Sequence, residues 1–277
     1  MTSAEFETAA VELLKNRSNV HHVVFGESCL GRPLSAFVIG EGAKSVLINA
    51  AHHANEWITT PLLFRFMEEI AEESLKNPEL LKNVMLHFIP LVNPDGADLV
   101  IHSGGRFNGW KANICGVDLN SNYPANWHKA REHKFSRGYT KPGARDFVGE
   151  KALSEPESCA MAAYTTFFDI DITVSLHTQG EEIYHKYMDF NPPGADDLAR
   201  RFAAASGYAL TNVPDESSHG GYRDWFISKF NRPGFTIECG LGESPLPLSQ
   251  FDDIYVKVSA LLRELFADTH ENANARI

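Results

Sequence analysis

The sequence of 277 residues has only four cysteines, and none of them stands in a C-x-x-C pair. Their spacing suggests neither a disulfide framework nor a zinc finger, and isolated cysteines fit a reducing compartment. No apolar run approaches the roughly 18 residues of a membrane span. The acidic N-terminus lacks a basic stretch followed by an apolar one, so we expect no signal peptide and a cytoplasmic location.

Positive charge is scarce, with 25 Lys+Arg against 36 Asp+Glu and a net charge of -11. Nucleic-acid binders and membrane-surface proteins need a net basic face, so neither partner is expected. The 18 Phe, 8 Tyr and 4 Trp argue against a largely disordered chain, because such side chains form a buried core. No linker, low-complexity tract or internal repeat divides the chain, which predicts a single domain over residues 1–277. The sequence does not indicate an oligomeric state.

Several catalytic motifs are also missing: H-E-x-x-H, G-x-S-x-G, G-x-G-x-x-G and the phosphate loop. What remains is a regular alternation of elements. Apolar runs predict strands within 37–39, 45–50, 84–92, 172–176 and 235–237, and helical spacing predicts helices over 10–15, 59–73 and 247–266. Strands that alternate with helices indicate an α/β fold with helices on both faces of a sheet. The nearly continuous apolar strands are typical of parallel central strands.

Three loop features carry further predictions. The N-P-D-G run at 93–96 predicts a turn, and Ser154 is the expected N-cap of a helix that opens with S-E-P-E. Between 128 and 151 there are seven basic residues against three acidic ones, without apolar periodicity. We interpret this stretch as a long basic loop that flanks a binding site, and a solvated surface loop is the equal alternative.

A histidine and a carboxylate occur together where a predicted strand gives way to a helix. His53 and Glu56 are three residues apart, so in a first helical turn both side chains can point to one spot. A His nitrogen and a carboxylate oxygen make half of a His₂Glu zinc site, which leaves a fourth position for water. So short a motif often arises by chance, and His52 stays an alternative ligand to His53.

Two further candidates stand at the ends of predicted strands. His177 ends the strand at 172–176, and ligands gather at the carboxyl ends of strands in open α/β sheets. Glu238 follows an apolar strand and precedes a glycine, where a buried carboxylate is costly unless it is paired or used. Near a metal-activated water it is a candidate general base. A hydrogen-bonded His177 and a solvent-exposed Glu238 are the structural alternatives.

The order of these segments resembles the zinc carboxypeptidases, the M14 peptidase family, from about Glu27 to Phe251. Residues 26–34 are similar to the family's G-x-S-x-x-G-R-P segment, 53–57 to its first ligand pair followed by Trp, 93–96 to its N-P-D-G turn, 116–122 to its G-V-D-L-N-R-N segment, 154–157 to its S-E-P-E helix start and 235–238 to its F-T-I-E segment. Several motifs in family order are far more specific than any one of them.

The resemblance implies a single α/β/α domain around a mixed, twisted, eight-stranded sheet. It further implies that His53, Glu56 and His177 bind one Zn²⁺ per chain and that Glu238 is the catalytic carboxylate. Lys111 stands where the family has an arginine that polarises the scissile carbonyl. A lysine still stabilises an oxyanion as a point charge, here with the help of Asn113.

The departures from the family bear on specificity. The family holds a substrate's terminal carboxylate with an Asn-Arg pair, but here Asn120 is followed by Ser121. The position at the base of the specificity pocket corresponds to Arg223, which would select an acidic side chain, and an Arg223–Asp224 pair is the structural alternative. Glu216 falls near the place of the aromatic residue that closes the site in digestive members.

Within the family, the run W-K-A-N-x-x-G-V-D-L-N at 110–120 is similar to bacterial peptidases that cut the γ-D-glutamyl–diaminopimelate bond of murein peptides. The resemblance therefore implies a zinc peptidase that acts on a small anionic or diaminopimelate-containing peptide, in murein-peptide recycling. The alternatives are an acid-selective carboxypeptidase, including a deglutamylase, and less favoured, an amino-acid deacylase or an inactive zinc-binding module.

Overall fold

The computed structural model describes residues 1–213 and 218–267. Its strands are β1 (His21–Glu27), β2 (Pro33–Ile39), β3 (Lys44–Ala50), β4 (Val84–Ile89), β5 (Ile172–His177), β6 (Glu182–Tyr184), β7 (Ala209–Leu210) and β8 (Gly234–Glu238). Its helices are α1 (Ser3–Asn16), α2 (Thr59–Lys76), α3 (Pro94–His102), α4 (Trp127–Ser136), α5 (Pro156–Phe167), α6 (Ala195–Ser206), α7 (Tyr222–Phe230) and α8 (Phe251–Arg263). None of these helices is both long and apolar enough to cross a membrane.

The eight strands form one mixed sheet in the order β1-β2-β4-β3-β5-β8-β6-β7. The four central strands β4, β3, β5 and β8 run parallel to one another, whereas β1 and β2, and β6 against β8, pair antiparallel. The predicted fold class, a mixed eight-stranded α/β sheet, is confirmed. The extent of one domain over residues 1–277 stays a prediction, since 214–217 and 268–277 lie outside the described residues.

Helices cover both faces of the sheet because successive side chains of a strand point to opposite sides. In β3, Val46 and Ile48 pack with α1, α2, α6 and α8 in one apolar core, whereas Leu47 packs with α5 and α7 in a second core on the other face. All three side chains are fully buried. The continuous apolar run of β3 therefore reflects a strand that is buried on both sides, as its sequence predicts.

The N-P-D-G run starts a helix, so the turn predicted there is wrong. Asn93 is the N-cap of α3, and its side-chain oxygen accepts a hydrogen bond from the Gly96 N–H at 3.1 Å. The amide of Asn93 also donates to the backbone oxygens of His52 and Ala112, each at 3.2 Å. Proline at the first helical position fits this role, because its missing N–H has no partner there in any case. One capping residue thus holds together the two backbone segments that carry the site.

Two other local predictions need correction. The N-cap of α5 is Glu155, and the Ser154 hydroxyl donates to the Glu155 carboxylate at 2.8 Å. The stretch predicted as a long basic loop begins with α4, which buries Trp127 and Ala130 and has little amphipathic periodicity. Its apolar side chains pack in a small separate cluster with Val148, so no long apolar stripe marks the helix in the sequence.

Candidate active site

Three parallel strands bring the predicted site residues to one edge of the sheet. His177 is the last residue of β5 and Glu238 the last of β8, and the two are register partners. The chain leaves β3 through Ala51, whose φ of 55° is in the left-handed region, and His53 follows two residues later. Because parallel strands end at the same edge, side chains from segments more than 50 residues apart in sequence converge there.

The convergence is closest at a buried trio of two histidines and one glutamate. Glu56 Oε1 lies 2.8 Å from His53 Nδ1, and Glu56 Oε2 lies 2.8 Å from His177 Nδ1. The two Nδ1 atoms are 3.2 Å apart, so they cannot both carry protons that point at each other. A cation among the three would accept both nitrogen lone pairs and the carboxylate. This donor set is that of a catalytic zinc site, and the residues present fit the metal.

The surroundings of two adjacent histidines decide which of them belongs to the trio. His52 Nε2 lies 3.0 Å from the Tyr123 hydroxyl. His53 Nε2 instead lies 3.4 Å from a carboxylate oxygen of Asp118. A carboxylate behind a ligand histidine fixes the ring orientation and increases its basicity. The geometry therefore favours His53 over His52 as the ligand.

Glu238 is the second acidic side chain of this edge. Burial, together with the nearby Glu56 carboxylate, raises the pKa of Glu238 to about 8. A carboxyl group with a pKa in this range holds or releases a proton near neutral pH, which is what a general base that later acts as an acid requires. The strand-end position thus yields a partly buried titratable group, in contrast to the solvent-exposed alternative.

Lys111 enters the same site from the segment before α4. Its backbone oxygen accepts from the Ala54 N–H at 3.0 Å, and its own N–H donates to the Ala144 oxygen at 2.7 Å. Burial lowers the pKa of Lys111, but the carboxylates of Glu56, Asp118 and Glu238 outweigh burial and raise it. The ammonium group therefore stays charged within a largely buried site, where a positive charge acts strongly on a developing oxyanion.

His53, Glu56, Lys111 and Glu238 line a cleft of about 300 Å³. Its basic lining residues are Lys111, Lys134, Arg145 and Arg223, and its acidic ones, besides Glu56, are Asp118, Asp146, Asp224 and Glu238. Lys134 and Arg145 both form ion pairs with Asp146. A cleft with such a mixture of buried charges favours a polar, charged ligand over an apolar one.

Arg223 lines the cleft and also an adjoining cavity of about 740 Å³. Its side chain is also paired with Asp224, with Nε 3.0 Å from the carboxylate. Arg223 is only 6% exposed, so this pair is desolvated. Arg223 therefore lines the cleft while it is paired with Asp224, and its role as the base of a specificity pocket stays a prediction. Asn120 lines the cleft as well, and its side-chain oxygen accepts from the Tyr222 N–H at 3.0 Å.

The prediction for Asn113 is wrong. This residue is fully buried, and its amide donates to Glu155 at 2.8 Å and to Glu157 at 3.2 Å, away from the cleft. Its side-chain oxygen accepts from the Val117 N–H at 3.0 Å, so the orientation of the amide is determined at both ends. Asn113 supports the turn that precedes Asp118 and does not face substrate. Glu216 lies outside the described residues.

Sequence reasoning missed several cleft residues, among them Asp118, Lys134 and Arg145. Asp118 lies in the G-V-D-L-N segment at 116–120, which could have identified it, because a carboxylate commonly supports a metal-binding histidine. Lys134 and Arg145 lie in the stretch interpreted as a basic loop, where seven basic residues look alike in sequence. No local signal separates the cleft residues from the exposed ones.

A mixed α/β sheet with a His-Glu-His trio at the ends of its parallel strands defines a zinc-hydrolase type of fold and site. The comparisons identify the family. A profile described as zinc carboxypeptidase, the M14 peptidases, matches residues 8–258. The chain therefore belongs to the M14 zinc carboxypeptidase family, and the prediction of an M14 metallopeptidase is confirmed.

Two bacterial relatives are similar over most of the chain. The chain is 38% identical over 255 residues to the γ-D-glutamyl-L-diamino acid endopeptidase 1 of Lysinibacillus sphaericus, an alignment that covers 83% of this chain and 63% of that protein. It is 39% identical over 269 residues to the uncharacterized protein YqgT of Bacillus subtilis, with 87% and 70% covered. The chain thus spans less than two thirds of the first relative's length.

Solved structures support the fold. Bovine thrombin-activatable fibrinolysis inhibitor superposes with a TM-score of 0.80 at 20% identity, over 98% of both chains. The murein-tripeptide amidase MpaA of Escherichia coli O157 superposes with a TM-score of 0.59 at 23% identity, over 88% of this chain and 91% of its own. At these identities the likeness shows the shared fold alone.

Proposed function

We propose that this chain is a zinc-dependent peptidase that hydrolyses an amide bond in a small acidic or diaminopimelate-containing peptide. The observation that carries the proposal is the convergence of the trio with Glu238 and Lys111 around one charged cleft. The name of the Lysinibacillus sphaericus relative, an endopeptidase for γ-D-glutamyl-L-diamino acids, supports the substrate class. A cytoplasmic location and the lack of a nucleic-acid partner stay predictions.

His53, Glu56 and His177 are the residues that would hold one Zn²⁺. When bound, zinc supplies Lewis acidity and lowers the pKa of a water in the open position. Asp118 keeps the His53 ring oriented through the contact at 3.4 Å. His177 has no corresponding carboxylate behind it, because its Nε2 atom is buried without a hydrogen-bond partner among the described residues.

Glu238 acts on the proton that is transferred in the reaction. Its carboxylate takes a proton from the attacking water as the oxygen bonds to the amide carbon. It then gives that proton to the leaving nitrogen as the C–N bond breaks. The raised pKa of Glu238, about 8, makes both transfers accessible near neutral pH. Lys111 stabilises the negative charge that develops on the carbonyl oxygen.

The substrate is anchored through its carboxylates. Arg223 and Arg145 supply two guanidinium groups on the cleft lining, and Asn120 supplies a side-chain amide. Arg145 is the more exposed of the two arginines, with about half of its side chain accessible. Diaminopimelate carries an extra carboxylate and amine at its far end, so it suits a cleft with both guanidinium groups and acids. The adjoining cavity beside Arg223 leaves space for the rest of the peptide.

An acid-selective carboxypeptidase, including a deglutamylase, is the second candidate. The presence of Arg145 in the cleft favours it, because this guanidinium could hold a free terminal carboxylate in place of the arginine missing at Ser121. The amino-acid deacylase and the inactive zinc-binding module have no comparable support. A partly buried Glu238 whose pKa is raised to about 8, beside the trio, argues against the inactive module.

A substrate panel tests the proposal. Zinc-loaded protein is assayed on L-Ala-γ-D-Glu-diaminopimelate, on peptides with a C-terminal glutamate, and on neutral peptides of the same length, with Glu238→Gln as the inactive control. We expect release of diaminopimelate at the highest kcat/KM. Faster removal of a C-terminal glutamate would favour the second candidate. Equal turnover of neutral and acidic peptides, or turnover that survives in Glu238→Gln, would contradict the proposed function.

A further inference from the structure

A second cluster of potential metal ligands lies outside the lining of the cleft. The donor atoms of Cys29, Cys115 and Glu155 all lie within 4.8 Å of one another. Cys29 comes from the turn between β1 and β2, Cys115 from the turn after Asn113, and Glu155 from the N-terminus of α5. Donor atoms of a four-coordinate zinc ion are typically a little under 4 Å apart, so the spacing suits one ion with small adjustments.

The cluster concentrates acidic groups without a basic partner. Glu155 is 9% exposed and Glu157 fully buried. Their hydrogen-bond donors are neutral: the Asn113 amide for both, the Ser154 hydroxyl for Glu155 at 2.8 Å, and the Cys29 N–H for Glu157 at 3.0 Å. In the part of the chain that the structure describes, no lysine, arginine or histidine forms an ion pair with either carboxylate. Buried carboxylates are ordinarily paired or coordinate a metal.

The cysteine sulfur is held within this acidic group. Cys29 Sγ lies 3.8 Å from Glu155 Oε2 and 3.7 Å from Glu157 Oε2. Burial, the hydrogen bond with Cys115 and the Glu157 carboxylate raise the pKa of the Cys29 thiol. The thiol therefore resists ionisation unless a cation arrives, and it is not set up as a free nucleophile. Cys115 is exposed, which leaves a path for an ion from solvent.

We propose that Cys29, Cys115 and Glu155 form a second metal site, for a thiolate-preferring divalent ion such as Zn²⁺. Binding breaks the two S–H bonds, releases both protons to solvent and forms two metal–sulfur bonds, while the Glu155 carboxylate supplies the third ligand and water the fourth. Glu157 and Asn113 orient the ligands from behind. Thiolates select zinc over magnesium or calcium, which prefer oxygen ligands.

The proposed ion would connect three segments that are far apart in sequence: Cys115 follows Cys29 by 86 residues, and Glu155 follows Cys115 by 40 residues. The central one is the turn that precedes Asp118, the residue behind His53. The second site is therefore expected to act on the stability of the fold near the cleft and not on the chemistry itself. It does not depend on the proposed function, because its ligands are distinct from the trio.

Cobalt binding separates the two sites. The full chain is stripped of metal, kept under reductant and titrated with Co²⁺, since only a thiolate ligand gives an intense near-ultraviolet charge-transfer band. We expect two equivalents bound in the wild type, one of them with the band. Glu56→Gln should lose the other equivalent and keep the band. The double variant Cys29→Ser with Cys115→Ser should lose the band and keep one equivalent.

Cys159→Ser is the matched control, because Cys159 is exposed and outside the cluster, and it should retain both equivalents. If the double variant does not fold, Glu155→Gln replaces it and should weaken the band-forming equivalent by about tenfold or more, because loss of a ligand costs at least as much as loss of a group that supports one. No band in the reduced wild type, or a band that survives in the double variant, would overturn the second site. So would a Cys29–Cys115 disulfide whose reduction is not followed by metal uptake.

Discussion

The middles and the ends of the same three strands, β3, β5 and β8, are both largely shielded from solvent and yet chemically opposite. In their middles the strands bury Ile48, Val174 and Phe235, which belong to one apolar core. At and just beyond their ends the chain buries His177 and partly buries Glu238, with His53 and Glu56 buried beside them. One sheet thus serves as the centre of a hydrophobic core and, a few residues further on, as the floor of a charged cleft.

The difference shows where stability and reactivity come from. Burial of apolar surface stabilises the fold by about 25 cal/mol per Å². Burial of charged groups costs several kcal/mol per ion unless each finds a partner. The apolar strand middles therefore supply the stability that offsets the cost of the charged strand ends. Substitutions in the middles should mainly change stability, and substitutions at the ends should mainly change turnover.

The largest effect is expected at the charged end. Glu238→Gln removes the proton acceptor but keeps the shape of the side chain, so kcat should fall by about 10² to 10⁴. Zinc content, measured by elemental analysis, should not change, because the trio is intact. The folded pKa of Glu238 lies above its unfolded value, so the ionised carboxylate destabilises the fold as pH rises. The thermal midpoint of the variant should therefore be no lower than that of the wild type. A clear loss of stability in Glu238→Gln would contradict the expected separation between the charged strand ends and the apolar strand middles.

The next effect belongs to the apolar middle. Ile48→Ala should lower the free energy of unfolding by about 2 to 5 kcal/mol, because Ile48 is fully buried and leaves a cavity. Ile48→Val, which removes one methylene, should cost about 1 kcal/mol. Denaturant unfolding measures both, while kcat per folded molecule should stay at the wild-type value. A fall in kcat in proportion to stability would show that the two regions are not independent.

A smaller effect is expected where the cleft meets its substrate. Arg223 and Asp224 are buried together, so a substitution of Arg223 alone would leave the Asp224 carboxylate unpaired. The loss of substrate binding could then not be distinguished from a loss of stability. The double variant Arg223→Gln with Asp224→Asn avoids this, and should lower kcat/KM for acidic peptides by about 10-fold to 100-fold while neutral peptides change little. Asp224→Asn alone is the control. An equal loss for both peptide classes would assign Arg223 to structure alone.

The smallest effect is expected from a titratable side chain on a central strand, His87. His87 on β4 is fully buried, and its Nδ1 lies 2.8 Å from the Tyr164 hydroxyl. Burial lowers the pKa of His87 from 6.5 to about 4, so between these two pH values the unfolded chain binds a proton at His87 and the folded chain does not. The contribution of His87 to stability is therefore fully present above pH 6.5 and is lost progressively as the pH drops toward 4.

Between pH 7.5 and 5.5 the expected loss from His87 is about 1 kcal/mol. The measurement is the free energy of unfolding at both values of pH, in the wild type and in His87→Gln. The variant should lose less across this range, whatever its starting stability. His128→Gln, on the exposed side of α4, is the control and should keep the wild-type slope. Identical slopes in wild type and His87→Gln would contradict the assignment.

Much of the fold could be predicted because the sequences of strands β3, β5 and β8 are largely apolar runs. His177 and Glu238 were accessible for a related reason: each stands at the end of such a run, where a polar residue is conspicuous. His53 and Glu56 were accessible through their spacing of three residues. Asn113 failed for the opposite reason. It lies in a segment without periodicity, so nothing local tells whether its amide faces the cleft or the carboxylates of Glu155 and Glu157.

The helix α4 and the cleft residues Lys134 and Arg145 could not be predicted for a further reason. A surface helix that packs on a small cluster shows little amphipathic period, and turn-like residues follow it closely. Among seven similar basic side chains, the ion pairs with Asp146 select two for the cleft. That selection depends on where the backbone from 134 to 146 passes relative to the strand ends.

The sequence by itself determined the class of fold, the family and the residues that stand at strand ends, because hydrophobic periodicity and motif order are local and linear. Only the tertiary structure decided that His53 and not His52 joins the trio, that Arg223 is paired while it lines the cleft, and that Cys29, Cys115 and Glu155 meet. Such choices depend on distances of a few ångströms between segments far apart in the chain. Those distances arise only when the packed sheet brings the segments together.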